Sequence, residues 1–360
     1  MNKNISISGR KIGFGQPPYI VAEMSGNHNH DLNRALLIVE AAKEAGADAV
    51  KLQTYRADTI TIDSNNDEFI VQGGLWDGRR LFKLYQEAHT PWEWHALIFE
   101  HARKIGITVF SSPFDSTAVD FLEDLEAPAY KIASPELIDL PLIRKVAATG
   151  KPIILSTGAA TLEEIAEAVD AARLAGCEDL VLLHCTAAYP APPEEANLAT
   201  LSDLAGRFNV IVGLSDHTLG TSVSSLAVGL GASFIEKHFT LSRADGGVDS
   251  AFSLEPQELA ELVKSARVAQ SAVGSPTFGP KASEASVLRN RRSLYVVKPI
   301  AKGDVFTKDN IRSIRPANGL KPKYYESLLG KVAARDLDFG EPLEFSMIQD
   351  WNETDFKNGQ

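Results

Sequence analysis

Short apolar runs recur along the chain, each closing on polar residues and each followed by an amphipathic segment. The runs are YIVAE (19–23), AVKLQ (49–53), TVFSS (108–112), AYKIAS (129–134), PIILST (152–157), LVLLHCT (180–186), VIVGLSDH (210–217) and FIEKHFT (234–240). Their length and β-branched content predict strands. Between them, segments such as DLNRALLIVEAAKEAG (31–46) and TLEEIAEAVDAARLAG (161–176) carry the helical period, the second stopping at Gly176. Eight strands alternating with helices predict an α/β fold of the (β/α)8 TIM-barrel type. A doubly wound open sheet is the alternative, but no Gly-x-Gly-x-x-Gly follows an early strand.

Polar residues gather at the C-terminal ends of these runs: Glu23, Lys51 and Gln53, Ser111 and Ser112, Lys131 and Ser134, Ser156 and Thr157, His184 and Thr186, Ser215 and His217, Glu236 and His238. In a barrel these ends converge on the face where such enzymes keep their sites. A serine or threonine before a helix is commonly its N-cap, and Thr157 taken alone is read that way. A pattern shared by every strand points instead to an enzyme. In FIEKHFT, strand parity puts Glu236, His238 and Thr240 on one face and Lys237 and Phe239 on the other. Ionisable groups within an apolar run are tolerated when paired, metal-bound or catalytic.

The second strand is followed by a long excursion, roughly 55–95, in which LFKLYQEA predicts a helix. An insertion of that size commonly forms a lid or substrate wall, whereas Trp76, Trp92 and Trp94 taken singly read as staples onto the barrel. The barrel is expected to occupy residues 1–273, with its last helix at about 255–273. A Gly-, Pro- and Ser-rich linker over 274–289 leads to a small module over 290–350 and a tail over 351–360.

Composition narrows the class. The 360 residues are 44% hydrophobic and 23% charged, enough for one large domain and a small one. No apolar run is long enough for a membrane helix, and the start MNKNISISGRKIG lacks a signal-peptide core. With only Cys177 and Cys185, a reducing cytoplasm is the expected setting. A net charge of −11 argues against nucleic acid or a membrane surface as partner. An anionic substrate then needs a local cluster of cations.

Lys51 and Lys131 provide one, and with Ser134, Ser156 and Ser215 they form a candidate clamp for a small phosphorylated carboxylate. A Schiff-base aldolase using a buried lysine is a rival, but it has little need of a histidine pair. A glycosidase using Glu23 and Glu136 leaves the lysines unexplained. His217 and His238 end adjacent strands, where two imidazoles with water and substrate oxygens suit a divalent ion. Two rim histidines held by hydrogen bonds are the plainer alternative. A barrel that binds without catalysing is the non-enzyme alternative, and it predicts erosion of these positions.

AEMSGNHNHD, AVKLQTY, FSSPFD, YKIASPE, STG, HCTAAYPAP, GLSDHTLG and EKHFT together resemble the sialic acid synthase family, and SIRPANGL resembles its C-terminal antifreeze-protein-like (SAF) module. The resemblance implies condensation of phosphoenolpyruvate with an open-chain N-acylated amino sugar to a nine-carbon 2-keto acid. It implies that His217 and His238 hold a divalent metal, Mn²⁺ foremost, with Mg²⁺ or Co²⁺ as alternatives. Phosphoenolpyruvate would be held by Lys51, Lys131, Ser134, Ser156, Ser215 and Ser112, and the sugar by Glu23, Gln53, Glu136, Tyr189 and Asp249. Glu136 is the first candidate for proton transfer at the aldehyde and Glu236, near the metal, the second; Glu23, Lys51 and Lys131 complete the expected catalytic set. Relatives form a swapped homodimer, which implies that Arg315 enters a partner's sugar pocket.

Within the family, LWDGRRLFKLYQEAHTPWEW and GGVDSAFSLEP most resemble the branch that uses 2,4-diacetamido-2,4,6-trideoxy-L-altrose; neuraminate- and legionaminate-forming branches are the alternatives. Ala187 stands where neuraminate-type relatives place an Asn, and VDSAFS replaces their PDH pattern. Ser250, Ala251 and Phe252 thus predict a less polar wall, suited to a sugar with a methyl in place of a hydroxyl.

Overall fold

The computed structural model describes residues 4–351 of the chain. These fall into two compact units, divided after Gly274. Of the expected tail, only Trp351 lies among the described residues.

The first unit opens with a hairpin that the sequence reading did not anticipate: β1 (Asn4–Ile7) and β2 (Arg10–Gly13), antiparallel. Its turn is Ser8–Gly9, both at positive φ (48° and 80°), the backbone that matches the twist of a tight hairpin. Eight parallel strands follow: β3 (Tyr19–Glu23), β4 (Ala49–Thr54), β5 (Thr108–Pro113), β6 (Tyr130–Ile132), β7 (Ile153–Ser156), β8 (Leu180–Cys185), β9 (Ile211–Asp216) and β10 (Phe234–His238). They close into a barrel in sequence order, with β10 pairing β3. The eight predicted runs are therefore the eight barrel strands.

Parity then builds the interior in layers. The lower inward positions carry Tyr19, Phe110, Leu183 and Phe234, joined from the hairpin by Ile5 and Ile12 in one apolar cluster. Gly213 takes an inward place on β9 because a Cβ there would lie 2.7 Å from both Leu183 and Phe234 side chains. Higher up seven of the eight strands, the inward positions turn polar: Glu23, Lys51, Ser112, Lys131, Ser156, Ser215 and Glu236 are all buried. A larger cluster between strands and helices, including Ile38, Phe99, Ile143 and Leu262, holds the outer layer.

Outward parity explains strand-end residues that stay out of the barrel mouth. His184 meets the Ala196 carbonyl at 2.7 Å, and Ser111 meets Thr54 at 2.6 Å. Lys237 pairs outside the barrel with Asp216 at 3.2 Å and donates to the Thr218 carbonyl. Thr157 is not a helix cap. The following helix begins five residues beyond it, at Leu162; its N-cap Thr161 accepts from Glu164 N–H in a capping box, while Thr157 Oγ1 donates to the Leu183 carbonyl at 3.2 Å.

The insertion carries helix Leu81–Ala88, as its pattern predicts. Trp92 and Trp94 are staples: Trp92 stacks on Phe121 at 4.5 Å, and Trp94 meets His28 edge-on at 5.5 Å. Among the described residues no helix is long and apolar enough to cross a membrane.

The second unit pairs β11 (Ser293–Val296) with β12 (Ile311–Ile314) around Leu294, Val296, Phe306, Ile311 and Leu343. The stretch expected to be a plain linker ends in a short exposed helix, Ala285–Arg289, over residues with good helix propensity.

Candidate active site

Barrel register places the polar layer. Glu23 lies beside Lys51, Gln53 beside Ser112 and Glu236 beside Ser215 across the strand pairs. Lys51 Nζ is 2.7 Å from Glu23 Oε2 and 3.9 Å from Glu236 Oε2, and it donates to Ser112 Oγ at 3.2 Å. Lys131 Nζ is 2.8 Å from Glu236 Oε1, which also accepts from Ser215 Oγ at 3.1 Å. Gln53 donates to Glu23 Oε1 at 2.8 Å. Glu236 therefore bridges the two lysines.

This cluster splits the carboxyls electrostatically. Burial alone would raise the Glu236 carboxyl, but Lys131 and Lys51 outweigh it and hold it at about 2. Burial lowers and Glu236 raises the Lys131 ammonium, with a net upward shift. At Glu23 burial wins, with the neighbouring Glu236 adding to it, and lifts its carboxyl to about 7 despite Lys51. Glu136, in the turn after β6, is likewise lifted to about 7 by burial, and its Oε2 is buried without a hydrogen bond. Ser156 Oγ is also buried and unpartnered, while Ser134 Oγ accepts from Gly158 N–H at 3.0 Å.

The imidazoles occupy the other side of the mouth. His217 and His238 have ring centroids 5.4 Å apart. His217 Nδ1 faces the Thr186 carbonyl at 2.9 Å, a contact that fixes Nδ1 as the protonated nitrogen and leaves Nε2 as a free donor atom. His238 Nδ1 is buried without a hydrogen bond, 3.9 Å from Asp249 Oδ2. Burial lowers both rings, His217 to about 4, so both are neutral at pH 7. Ser25 donates to Asp249 Oδ2. Among the described residues no group of three or more His, Cys, Asp or Glu is set to enclose a metal, so an ion held by these two rings would take the rest of its shell from water or substrate oxygens.

Aromatic rings wall this half. Tyr189 lies 4.2 Å from His217, and Phe252 lies 4.8 Å from His238 and 5.2 Å from Tyr189. The expected apolar wall is thus divided: Phe252 is buried in the site and Ala251 is exposed. Ala187 is exposed as well, 3.2 Å from where a Cβ on Gly158 would stand.

Two lining residues were missed from the sequence. Cys185 points inward on β8, with Sγ 3.9 Å from His217 Nδ1, and the alternation through Val181 and Leu183 could have found it. Trp76, read as a staple, stands 5.6 Å from Tyr189, and nothing local to its sequence indicates this. Arg315 belongs to the second unit, in a cleft of that unit with Arg291 and Arg292.

The comparisons agree with the resemblance read from the motifs. Residues 38–277 match the NeuB family and residues 291–349 the SAF domain. The pseudaminic acid synthase of Helicobacter pylori is 47% identical over 339 residues, covering 93% of this chain and 98% of that protein. That of Campylobacter jejuni subsp. jejuni serotype O:23/36 is 46% identical over 331 residues, covering 91% and 96%. Among solved structures, the N-acetylneuraminic acid synthetase of Leptospira borgpetersenii serovar Hardjo-bovis, in complex with citrate, superposes with a TM-score of 0.71 at 32% identity, covering 79% of this chain and 95% of that one.

The raised Glu136 carboxyl carries a stability signature. With a folded value of about 7 against an ordinary 4.5, the group favours the fold fully below about pH 4.5, and that contribution is lost as pH rises through 7. Glu136→Gln removes the ionisation. The variant is expected to match the parent's Tm at pH 4 and exceed it by a few degrees at pH 8 in thermal melts of the substrate-free protein. An equal difference at both pH values would refute the burial assignment.

Proposed function

The chain belongs to the NeuB family, and on that premise we propose that it condenses phosphoenolpyruvate with 2,4-diacetamido-2,4,6-trideoxy-L-altrose and water, giving pseudaminic acid and phosphate. The observation that carries the reading is the divided mouth: two lysines bridged by Glu236 on one side, two neutral imidazoles walled by Tyr189 and Phe252 on the other. One half suits a dianionic phosphate with a carboxylate. The other suits an aldehyde attached to a partly apolar chain.

Lys51 and Lys131 grip phosphoenolpyruvate, with Ser112, Ser134, Ser156 and Ser215 supplying hydroxyls, of which Ser156 Oγ has no competing partner. Glu236 pairs with both ammonium groups and holds them aimed. His217 and His238 would hold a divalent ion, Mn²⁺ foremost, which would supply Lewis-acid polarisation of the aldehyde. As C3 of phosphoenolpyruvate bonds to the aldehyde carbon, the aldehyde oxygen needs a proton. Glu136, at about 7, is protonated in a useful fraction of molecules at neutral pH and donates it. Water then bonds to C2 and passes a proton to Glu23, whose carboxyl also sits at about 7. The C2–O bond to phosphate then breaks as the C2 hydroxyl becomes the ketone, its remaining proton leaving with the phosphate.

A second copy of the chain completes the site. Arg315, from the partner's second unit, hydrogen-bonds an acyl or hydroxyl oxygen of the sugar in a swapped homodimer.

Three measurements test this reading. Phosphate release with phosphoenolpyruvate should be roughly ten- to hundredfold faster per kcat/KM with the 6-deoxy diacetamido sugar than with N-acetylmannosamine, the scale one methyl–hydroxyl difference supports. Equal or faster turnover of N-acetylmannosamine would place the chain in the neuraminate branch. EDTA should abolish turnover and Mn²⁺ restore it, while His238→Ala stays inactive with any ion; full activity after exhaustive chelation would remove the metal. Finally, inactive Arg315→Ala and Glu136→Gln dimers should regain activity on subunit exchange, and verified heterodimers that stay inactive would show that Arg315 does not act across the dimer.

A further inference from the structure

Trp76 sits at the tip of a finger whose construction points to substrate rather than to the core. The finger spans residues 70–80. Ile70 and Arg80 bridge at its root, and Val71 N–H donates to Arg79 O and Gly78 N–H to Val71 O, both at 2.8 Å. Gly73, Gly74 and Gly78 turn it at φ of 77°, 72° and 74°, where glycine alone is unstrained. Arg80 pairs with Asp63 and Arg79 with Glu87, which ties the root to the flanking insertion. None of residues 61–80 is buried, so this length of chain adds nothing to the apolar core.

At the tip, the Trp76 indole N–H donates to the Val248 carbonyl at 2.9 Å, in the loop after β10. The indole is held 5.6 Å from Tyr189 and 6.5 Å from Phe252, and these two rings are the ones packed on His217 and His238. Trp76 is therefore one ring farther from the imidazole pair, and it is only partly buried.

We propose that Trp76 is a specificity-determining residue that packs on the C6 end of the sugar, resting on the reaction assigned above. A sugar whose aldehyde lies at the imidazoles extends outward past Tyr189 and Phe252, and its last carbon arrives at the indole. That surface accepts a methyl group. It penalises a hydroxyl, because an indole has a single donor and no acceptor, and here the donor is already spent on Val248. The finger thus selects the sugar and leaves phosphoenolpyruvate, held by the lysines, untouched.

The test compares kcat/KM for 2,4-diacetamido-2,4,6-trideoxy-L-altrose and its 6-hydroxy counterpart in the full-length parent, Trp76→Ala and Trp76→Phe. Trp76→Ala is expected to lower the discrimination about tenfold. The loss should fall on KM for the deoxy sugar, with KM for phosphoenolpyruvate unchanged. Trp76→Phe, which keeps a ring and the glycine turns, serves if the alanine variant does not fold. Its discrimination should fall less, and the sugar-induced change in tryptophan fluorescence expected of the parent should be lost or strongly reduced, since Trp92, Trp94 and Trp351 remain. An equal loss for both sugars, or an unaltered ratio, overturns the inference while leaving the reaction standing. A parent chain that turns over neither sugar with phosphoenolpyruvate overturns the reaction itself, and this inference with it.

Discussion

Two ammonium groups buried at the top of a barrel need carboxylate partners: Glu23 pairs Lys51, and Glu236 is the carboxylate that both lysines share. Its two oxygens face Lys131 at 2.8 Å and Lys51 at 3.9 Å, with Ser215 donating a further hydrogen bond. Removing one member of such a buried set costs about 3–5 kcal/mol, because the remaining charges lose their compensation. The bridge also orients the site. It holds both lysine tips at the height where Ser112, Ser156 and Ser215 point inward, so an incoming phosphate meets preset cations and hydroxyls. The apolar layer beneath, sealed by the N-terminal hairpin, keeps that polar layer from extending down the barrel.

The same bridge separates the roles of three carboxyls that look alike in the sequence. Glu236 is drawn toward the lysines and stays ionised, while burial raises Glu23 and Glu136 to about 7. Pushing apart groups of one chemical type is how a single fold obtains both a fixed charge and a proton donor near neutral pH. An acidic protein thereby gathers two ammonium groups at one barrel mouth, beside two carboxyls that burial raises.

On the opposite side, burial keeps the imidazoles neutral and the aromatic rings limit their exposure to water. Glu236, expected near a metal held by His217 and His238, is paired with the lysines, and strand parity puts it on the same face as His238. The two statements are compatible. Two residues along one strand, from Glu236 to His238, are enough to pass from the cation cluster to the imidazole pair.

The sequence by itself determined the barrel and its inward polar row, because both follow from local periods: two residues per strand repeat, 3.6 per helical turn. The eight runs became the eight strands, and Glu23, Lys51, Lys131, Ser156, Ser215 and Glu236 all appeared where parity put them. Only the tertiary structure decided which of them touch. Parity does not say that Glu236 spans two lysines contributed by strands far away in sequence, nor how far burial lifts Glu23 and Glu136. It did not reveal that Ser8–Gly9 makes a hairpin whose isoleucines close the floor, or that Thr157 spends its hydroxyl on Leu183 and leaves the cap to Thr161. Trp76 is the clearest case. Its neighbours Tyr189, Val248 and Phe252 lie more than a hundred residues downstream, and no local period relates positions that meet only when a barrel closes.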